Sequence, residues 1–228
     1  MAKLITIGSC FGAGEIYADL FDDVIELPIW KYEHQNPKGL GVIGKDDVVL
    51  LGGGEDITPA FYNVVRSRYS GGSETPSRRD SIEKWAFMRA QEVGAGVYGI
   101  CRGAQMVCAL SGGILVQHIT GHQGNHLIMT NEGEQYLTSS VHHQMMWPFS
   151  LKDKFELIGW TAPQPRSNGY VFSDDDIREK VEVEPEIVWF KETKSLGIQG
   201  HPEFMSSNAR FVLYSKQLVK RYFLTKES

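Results

Sequence analysis

The 228-residue sequence has no excess of positive charge, no long apolar run and few cysteines. Its 28 acidic residues outnumber its 23 lysines and arginines, and the formal net charge is -5. A primary role in nucleic-acid binding is therefore not expected, because phosphates require a basic surface. No apolar run approaches the roughly 18 residues of a membrane-spanning helix, and the amino terminus lacks the layout of a signal peptide. We expect a cytoplasmic protein without a membrane partner.

The three cysteines, Cys10, Cys101 and Cys108, are too few and too unevenly spaced for a disulfide framework. No Cys-x-x-Cys pair suggests a structural zinc site, and free cysteines are typical of a reducing compartment. Internal repeats and low-complexity linkers are also lacking. Because the chain is long enough to bury a full core, we expect one domain over residues 1–228.

Short apolar runs bounded by glycine predict strands buried on both faces at residues 4–8, 24–27, 48–51 and 97–100. A helical pattern precedes the last of these, and Asp80 and Glu83 at its start fit a capping box. A second, shorter helix follows Cys101 and ends near Gly112. Strands that alternate with helices predict parallel pairing with right-handed crossovers, and therefore a three-layer α/β domain.

The second half of the sequence is less regular. It predicts strands at residues 114–119, 187–190 and 196–199 and a helix from Ser206 onward. Residues 162–185, rich in Pro, Asn, Gly and Asp, are interpreted as a long surface excursion. The acidic run Asp174, Asp175 and Asp176 within it is interpreted as a solvated loop or helix cap rather than a metal site.

The strongest chemical signal is Gly-Ile-Cys-Arg-Gly at residues 99–103, between a predicted strand and a predicted helix. Glycines flank a nucleophile on such a turn because the backbone is strained and neighbouring segments crowd it. The helix N-terminus favours a thiolate at Cys101, and the amide N–H of Arg102 is a candidate oxyanion donor. The alternative is a buried structural cysteine.

A second signal is His201-Pro202-Glu203, which follows the predicted strand at residues 196–199. Side chains two apart in an extended chain point the same way, so the imidazole and the carboxylate can lie side by side. His201 is then a candidate acid/base for Cys101, and Glu203 is a candidate to orient the ring. The alternative is an ordinary surface turn. Cys10 also follows a predicted strand, but no such partner accompanies it.

Three glycines, Gly52, Gly53 and Gly54, directly follow the predicted strand at residues 48–51. They expose backbone N–H groups at the carboxyl end of a strand, where α/β sheets bind ligands. A phosphate loop is the rival interpretation, but the Gly-Lys-Ser/Thr ending is absent, and Glu55 and Asp56 would repel phosphate. A second oxyanion donor is favoured.

His118, His122 and His126 are spaced four apart and would align as a metal-binding face on a helix. Gly121 and Gly124 interrupt that helix. The favoured interpretation is therefore that these histidines form hydrogen bonds in a loop or pocket, and no metal site is expected.

The cysteine turn, extended to Gln105, and the distant Gln-Gly-His-Pro-Glu at residues 199–203 resemble the class I glutamine amidotransferase superfamily. Within it, the sequence is most similar to the branch of γ-glutamyl hydrolases and γ-glutamyl-GABA hydrolase. Weaker motifs follow in family order at residues 53–59, 79–83, 112–118, 126 and 140–144.

The resemblance implies a flavodoxin-like sandwich with a mostly parallel central sheet. It implies that Cys101 is the nucleophile, His201 the acid/base and Glu203 its orienting carboxylate, with an oxyanion hole of backbone N–H groups. The residues implied for that hole are Arg102 and Gly54 or Gly53, and those implied for substrate binding are Gln105, Ser140, His142, His143 and Gln144. Gly200 replaces the aromatic residue usual before His-Pro-Glu, which predicts a looser or larger pocket beside the base.

The implied reaction is hydrolysis of glutamine or of a γ-glutamyl amine conjugate through a glutamyl thioester, with no metal or organic cofactor. One alternative is a glutaminase subunit that passes ammonia to a separate synthetase chain. Another is a non-hydrolytic redox or binding protein, which would need Cys101 but not His201 or Glu203. The sequence leaves the oligomeric state open, a homodimer included.

Overall fold

A nine-stranded mixed sheet forms the centre of the computed structural model, which describes residues 2–29 and 38–225. The strands are β1 (Lys3–Ile7), β2 (Asp23–Leu27), β3 (Val48–Leu51), β4 (Gly96–Ile100), β5 (Ile114–Val116), β6 (His118–Ile119), β7 (His126–Thr130), β8 (Gln135–Thr138), β9 (Met145–Trp147), β10 (Phe155–Thr161), β11 (Tyr170–Ser173), β12 (Asp176–Arg178), β13 (Pro185–Phe190) and β14 (Ser195–Ile198). The central order is β2-β1-β3-β4-β14-β13-β10-β7-β8. Pairing is parallel from β2 to β14 and antiparallel from β14 to β8.

The helices are α1 (Ala13–Tyr17), α2 (Arg78–Val93), α3 (Arg102–Leu110) and α4 (Arg210–Val219), with a π-helical turn at Lys220–Leu224. Short 3-10 segments lie at Cys10–Gly12, Ala18–Leu20, Lys38–Val42, Pro59–Phe61, Phe149–Leu151 and Pro202–Phe204. None of the helices in the described part of the chain combines the length and the apolar character that a membrane span requires.

Two hydrophobic cores lie on opposite faces of the sheet. Along β3, Val49 and Leu51 pack with α2 and α3, whereas Val48 and Leu50 pack with α1 and α4. This alternation follows from the two-residue period of a strand covered on both sides. The predicted three-layer α/β fold is confirmed, and the antiparallel strands extend the sheet beyond the parallel part that the sequence indicates most clearly.

One predicted strand differs in its environment. β2 was expected to be buried on both faces, but it lies at the edge of the sheet and is mostly exposed, with Val24 36% accessible. Its apolar run is short and is interrupted by Glu26, which suits an edge strand that pairs with β1 on one side.

The capping box of α2 lies three residues earlier than the sequence pattern predicts. The hydroxyl oxygen of Ser77 accepts a hydrogen bond from the Asp80 amide at 3.0 Å, and the Asp80 carboxylate accepts one from the Ser77 amide at 2.9 Å. The predicted pairing of Asp80 with Glu83 is therefore wrong. Because Ser77 supplies the cap, Glu83 is left inside the helix with a fully buried side chain.

Residues 162–185 are not simply a surface excursion. They contain β11 and β12, which form a small sheet with β6, and Tyr170 and Phe172 are buried. The strand predicted at residues 114–119 is also divided at Gln117, whose buried side chain bonds the backbone of residues 65 and 67 and of Phe172 in β11. Within the acidic run, Asp174 accepts hydrogen bonds from the Ser67 hydroxyl and the Arg68 amide.

Candidate active site

Cys101 lies on the turn between β4 and α3, with φ 51° and ψ -105°. The two flanking glycines are required because the three segments approach one another closely. A Cβ on Gly99 would lie 2.3 Å from the Gly103 carbonyl oxygen, and one on Gly103 would lie 2.0 Å from the Leu51 carbonyl oxygen. The strained turn therefore holds the cysteine at the N-terminus of α3, with 6% of its surface exposed.

His201 and Glu203 lie at the same edge of the sheet as Cys101. β14 pairs with β4 in parallel, with Ile198 opposite Ile100, so both strands end beside each other. His201 Nδ1 and Glu203 Oε1 are 2.7 Å apart. Phe204 stacks on the imidazole with ring centroids 4.4 Å apart and an angle of 6° between the planes. This aromatic contact, which no sequence motif indicates, fixes the ring from one side.

The surroundings of His201 favour its charged form. Burial lowers the pKa of the imidazole, but the Cys101 and Glu203 side chains outweigh that effect and raise the pKa to about 10. Glu203 contacts Nδ1, which leaves Nε2 for the cysteine side of the ring. A positively charged histidine beside a cysteine is the arrangement that stabilises a thiolate.

The glycine loop after β3 packs directly against these side chains. A Cβ on Gly53 would lie 2.7 Å from His201 Cε1 and 3.7 Å from Cys101 Cβ. Gly54 has φ 145°, and a Cβ there would lie 2.3 Å from Arg79 Nη1. Glycine at position 53 allows the loop to approach both side chains, whereas glycine at position 54 leaves room for Arg79, and the oxyanion role of either residue stays a prediction.

The side chain of Arg102 is the centre of a buried ionic network that sequence analysis missed. Its Nη2 is 2.5 Å from Asp80 Oδ1, and its Nη1 donates to Glu83 Oε2. Glu83 also accepts a hydrogen bond from Arg79 Nε at 2.7 Å, and Arg79 Nη2 donates to the Gly53 carbonyl at 2.8 Å. The network thus connects α2, the cysteine turn and the glycine loop.

A pocket of about 290 Å³ opens over the cysteine. It brings Cys101 together with four of the five residues expected to bind substrate. The lining residues are Gly54, Glu55, Asp56, Gly71, Cys101, Gln105, Val141, His142, His143 and Gln144. At its rim, His143 Nε2 is 2.9 Å from Asp56 Oδ1.

Hydrogen bonds order the part of this pocket that Gln105 and Gln144 form. Gln105 Nε2 donates to the Gln144 carbonyl at 3.0 Å, and Gln144 Nε2 donates to the Ser70 hydroxyl at 3.2 Å. Among the described residues, the buried Gln144 Oε1 has no hydrogen-bond partner. Ser140 is not a lining residue, and its hydroxyl donates to the His122 carbonyl at 2.7 Å. Its contact with substrate stays a prediction.

The space beside the base is closed rather than enlarged. A Cβ on Gly200 would lie 2.1 Å from Thr138 Oγ1 and 3.0 Å from the Ser139 carbonyl oxygen. The expectation of a larger pocket at Gly200 is therefore wrong, because the end of β8 occupies the space that a larger side chain would fill.

The other two cysteines lie in different environments. Burial raises the pKa of both Cys10 and Cys108 to about 12, so neither is a ready nucleophile at neutral pH. The Cys10 thiol donates weakly to the Ile7 carbonyl, and Cys108 lies within α3 with no exposed surface.

The three histidines at spacing four do not share one face. His118 stacks on Tyr69 at a centroid distance of 4.9 Å, and its Nδ1 is 3.4 Å from His143 Nδ1. His122 and His126 instead lie in the interior, where their rings are 5.0 Å apart. The glycines between them prevent the helix that a common face would need.

The fold and the cysteine turn define a protein of the class I glutamine amidotransferase-like type. Residues 24–153, more than half of the chain, match the family of Peptidase C26, and the chain belongs to that family. The resemblance seen in the sequence is confirmed. The matched range contains the cysteine turn and the glycine loop but ends before His201 and Glu203.

Known proteins agree with this assignment. Over 210 residues the chain is 28% identical to the glutamine amidotransferase-like protein YvdE of Lactococcus lactis subsp. lactis, with 83% of this chain and 78% of that protein covered. A glutamine amidotransferase from Thermotoga maritima shares the fold with TM-score 0.57 and 12% identity, covering 97% and 84% of the two chains. The glutaminase domain of Trypanosoma brucei CTPS, solved with bound acivicin, has a TM-score of 0.57 and 12% identity to this chain. The match covers 100% of this chain and 96% of that one.

Proposed function

We propose that the protein hydrolyses a γ-glutamyl amide, either glutamine or a γ-glutamyl amine conjugate, and releases glutamate. The observation that carries this proposal is the position of Cys101 on a strained turn beside His201, whose Nδ1 is held by Glu203 at 2.7 Å. A nucleophile, a base and a carboxylate that orients the base are the three parts of a hydrolytic triad.

In the proposed reaction, the Cys101 thiolate attacks the γ-carbonyl carbon of the substrate. The C–N bond then breaks as the imidazolium of His201 gives a proton to the leaving nitrogen, which leaves a glutamyl thioester on the cysteine. Water gives a proton to the same imidazole and attacks the thioester. The C–S bond breaks, which releases glutamate and regenerates the free enzyme.

The negative charge on the carbonyl oxygen would be held by backbone N–H groups of Arg102 and of Gly54 or Gly53. Arg102 begins α3, so the dipole of that helix also favours an anion there. Arg79 bonds the Gly53 carbonyl oxygen and fixes the plane of the adjoining peptide. Preorganised donors of this kind stabilise a tetrahedral intermediate without reorganising during the reaction.

The pocket supports a small polar substrate. Its volume of about 290 Å³ is at the lower end of the range for ligand pockets. Glu55 and Asp56 at the rim, together with the unpartnered Oε1 of Gln144 among the described residues, would accept hydrogen bonds from the α-ammonium of a glutamyl group. Gln105 and His143 complete the wall against which that group would lie.

This function is tested by measuring glutamate release from glutamine and from a panel of small γ-glutamyl amines. Turnover of one conjugate well above that of glutamine would support a dedicated γ-glutamyl hydrolase. Absence of release from every member of the panel, with folded protein, would contradict the proposal as a free-standing hydrolase.

The second candidate is a glutaminase that supplies ammonia to a separate synthetase chain. The likeness to the glutaminase domain of CTPS, which spans 96% of that domain, favours it. This candidate predicts slow turnover that is confined to glutamine. A redox or binding role is less favoured, because it gives no reason for the close His201–Glu203 pair.

Replacing Gly53 by alanine is expected to lower kcat about 10²-fold, because the new methyl group would displace the His201 ring from the cysteine. Steady-state kinetics on the best substrate, with the urea midpoint as a check of folding, measures this effect. Gly169→Ala is the matched control, since a Cβ there would meet nothing within 4 Å. Equal activity of the two variants would show that the glycine loop does not constrain the base.

Replacing Glu203 by glutamine is expected to lower kcat about 10²-fold and to move the alkaline limb of the pH–rate profile to lower pH. The sign follows because Glu203 helps to raise the pKa of His201 to about 10, and losing that charge lowers the pH at which the proton is lost. Profiles of kcat for the wild type and the variant give the result. An unchanged alkaline limb would remove Glu203 from the proposed triad.

A further inference from the structure

A buried cluster of three histidines and two glutamates adjoins the pocket, whose wall it reaches through His142, and the proposed bond-breaking steps do not use it. The members are His122, His126, His142, Glu184 and Glu186, each no more than 3% exposed. They come from separate segments: His122 from the loop between β6 and β7, His126 from the start of β7, His142 from the segment before β9, Glu184 from just before β13 and Glu186 from β13 itself.

Three members of this cluster converge on one point. The candidate ligand atoms of His122, His142 and Glu186 all lie within 4.8 Å of one another. Glu186 Oε1 is 3.3 Å from His122 Nδ1 and 3.9 Å from His142 Nε2. Tetrahedral zinc with bonds of about 2.0–2.2 Å sets its ligand atoms roughly 3.4 Å apart, so small side-chain movements suffice.

The surroundings of the two histidines place one ring nitrogen of each toward the cluster. His142 Nδ1 is 2.9 Å from the Gln144 carbonyl oxygen, so Nδ1 carries the proton and Nε2 is free. His122 Nε2 is 3.1 Å from Glu184 Oε2, which leaves Nδ1 facing Glu186. A histidine that ligates a metal usually donates its other N–H to a carboxylate or a backbone carbonyl, as His142 does to the Gln144 carbonyl.

Hydrogen bonds also hold the carboxylate of Glu186 in place. Its Oε1 accepts hydrogen bonds from His126 Nε2 at 2.9 Å and from Thr161 Oγ1 at 3.1 Å. Within residues 2–29 and 38–225, Glu186 Oε2, His142 Nε2 and both ring nitrogens of His122 have no well-aligned hydrogen bond although they are buried. Buried polar atoms without partners are rare and costly, and a bound cation would satisfy several at once.

We propose that His122, His142 and Glu186 bind a divalent transition-metal ion, with His126 holding the Glu186 carboxylate in place through its hydrogen bond. Two imidazoles and a carboxylate suit Zn²⁺. The ion would join β13 to the segment that contributes His142 and Gln144 to the pocket wall, and it would take no part in bond breaking. This differs from the expectation of no metal site, and it does not depend on the proposed hydrolysis.

The test is metal analysis of the purified protein followed by titration of chelator-treated protein with Zn²⁺, and separately with Co²⁺, whose visible absorption reports tetrahedral N/O coordination. We expect one ion per chain and a melting temperature higher by about 5–10 °C at a Zn²⁺ concentration a hundred times Kd. Thr161→Val, which removes a hydrogen bond to the ligand carboxylate, is expected to weaken binding about 10-fold.

Glu186→Gln keeps the size of the side chain and removes the charged ligand, so bound metal should fall below about a tenth of an equivalent. Glu182→Gln, at an exposed position four residues earlier, is the matched control and should retain the metal. If Glu186→Gln fails to fold, the Co²⁺ titration of the wild type still shows whether the protein binds a metal ion. Wild-type protein that takes up neither ion and shows no thermal shift would overturn the proposal, and the cluster would then be a metal-free charge network.

Discussion

Replacement of Cys101 by alanine is expected to lower kcat/KM for glutamate release by about 10⁵-fold or more, to the limit of detection. The reason is that the variant keeps the pocket and the oxyanion donors but has no atom that can form the thioester. Stability should change little, because the cysteine is on the turn and is packed less deeply than the core residues around it. Glutamate release by purified protein, with matched circular dichroism spectra, measures the effect.

Cys108→Ala is the control for this experiment. Like Cys101→Ala, it removes one cysteine sulfur, but this sulfur lies in α3. Burial there raises the pKa of the Cys108 thiol to about 12, and no acid/base residue is assigned to Cys108. Its kcat/KM should stay within about twofold of the wild type, although the small cavity left in the core should cost about 1 kcal/mol or more of stability. Comparable activity of Cys101→Ala and wild type would eliminate the cysteine mechanism.

Replacement of Arg102 by methionine is expected to reduce the free energy of unfolding by about 3–5 kcal/mol. The side chain is fully buried, and its loss would leave the carboxylates of Asp80 and Glu83 without their main cationic partner. Breaking one side of a buried ion pair costs more than the pair itself contributes, because the remaining charge is neither hydrated nor neutralised. Urea unfolding of the wild type and the variant at neutral pH gives the difference.

The control is Arg89→Met, which removes a partly exposed arginine whose partner, Glu92, is exposed. That change should cost less than about 1 kcal/mol, since water screens the pair. A loss at Arg102 as small as the loss at Arg89 would show that the network contributes little. Arg102→Lys separates charge from geometry, because lysine retains the charge but cannot contact both carboxylates in the planar arrangement of a guanidinium.

The parts of the structure that the sequence predicts well are those set by local signals. The buried strands β1, β3, β4 and β14 are short apolar runs, and the cysteine turn is marked by glycines that its geometry requires. Parallel strands also bring their carboxyl ends to one edge, so the meeting of Cys101 and His201 follows from topology.

The parts that the sequence did not predict depend on contacts between distant segments. Arg102 meets carboxylates 19 and 22 residues earlier, and His126 meets Glu186 60 residues later. No local pattern marks such pairs. The spacing of His118, His122 and His126 indicates only part of this cluster, because His122 does lie beside His126, whereas His118 stacks on Tyr69 and the other neighbour of His122 is His142.

The errors within single elements also have physical reasons. Ser77 and Asp80 are both residue types that occur at an N-cap. Ser77, which lies directly before α2, is the N-cap and forms the capping box with Asp80. The small sheet of β6, β11 and β12 was missed because its turns are rich in Asp, Asn and Gly, which mark loops in a sequence whether or not strands lie between them.

The most direct test of the account is mass spectrometry of protein quenched with acid during turnover of a γ-glutamyl amide. We expect a fraction of the peptide that contains Cys101 to carry a glutamyl group, and treatment with hydroxylamine to remove it, as for a thioester. A glutamyl group on another residue, or steady release of glutamate from protein in which Cys101 has been fully alkylated beforehand, would contradict the proposed mechanism.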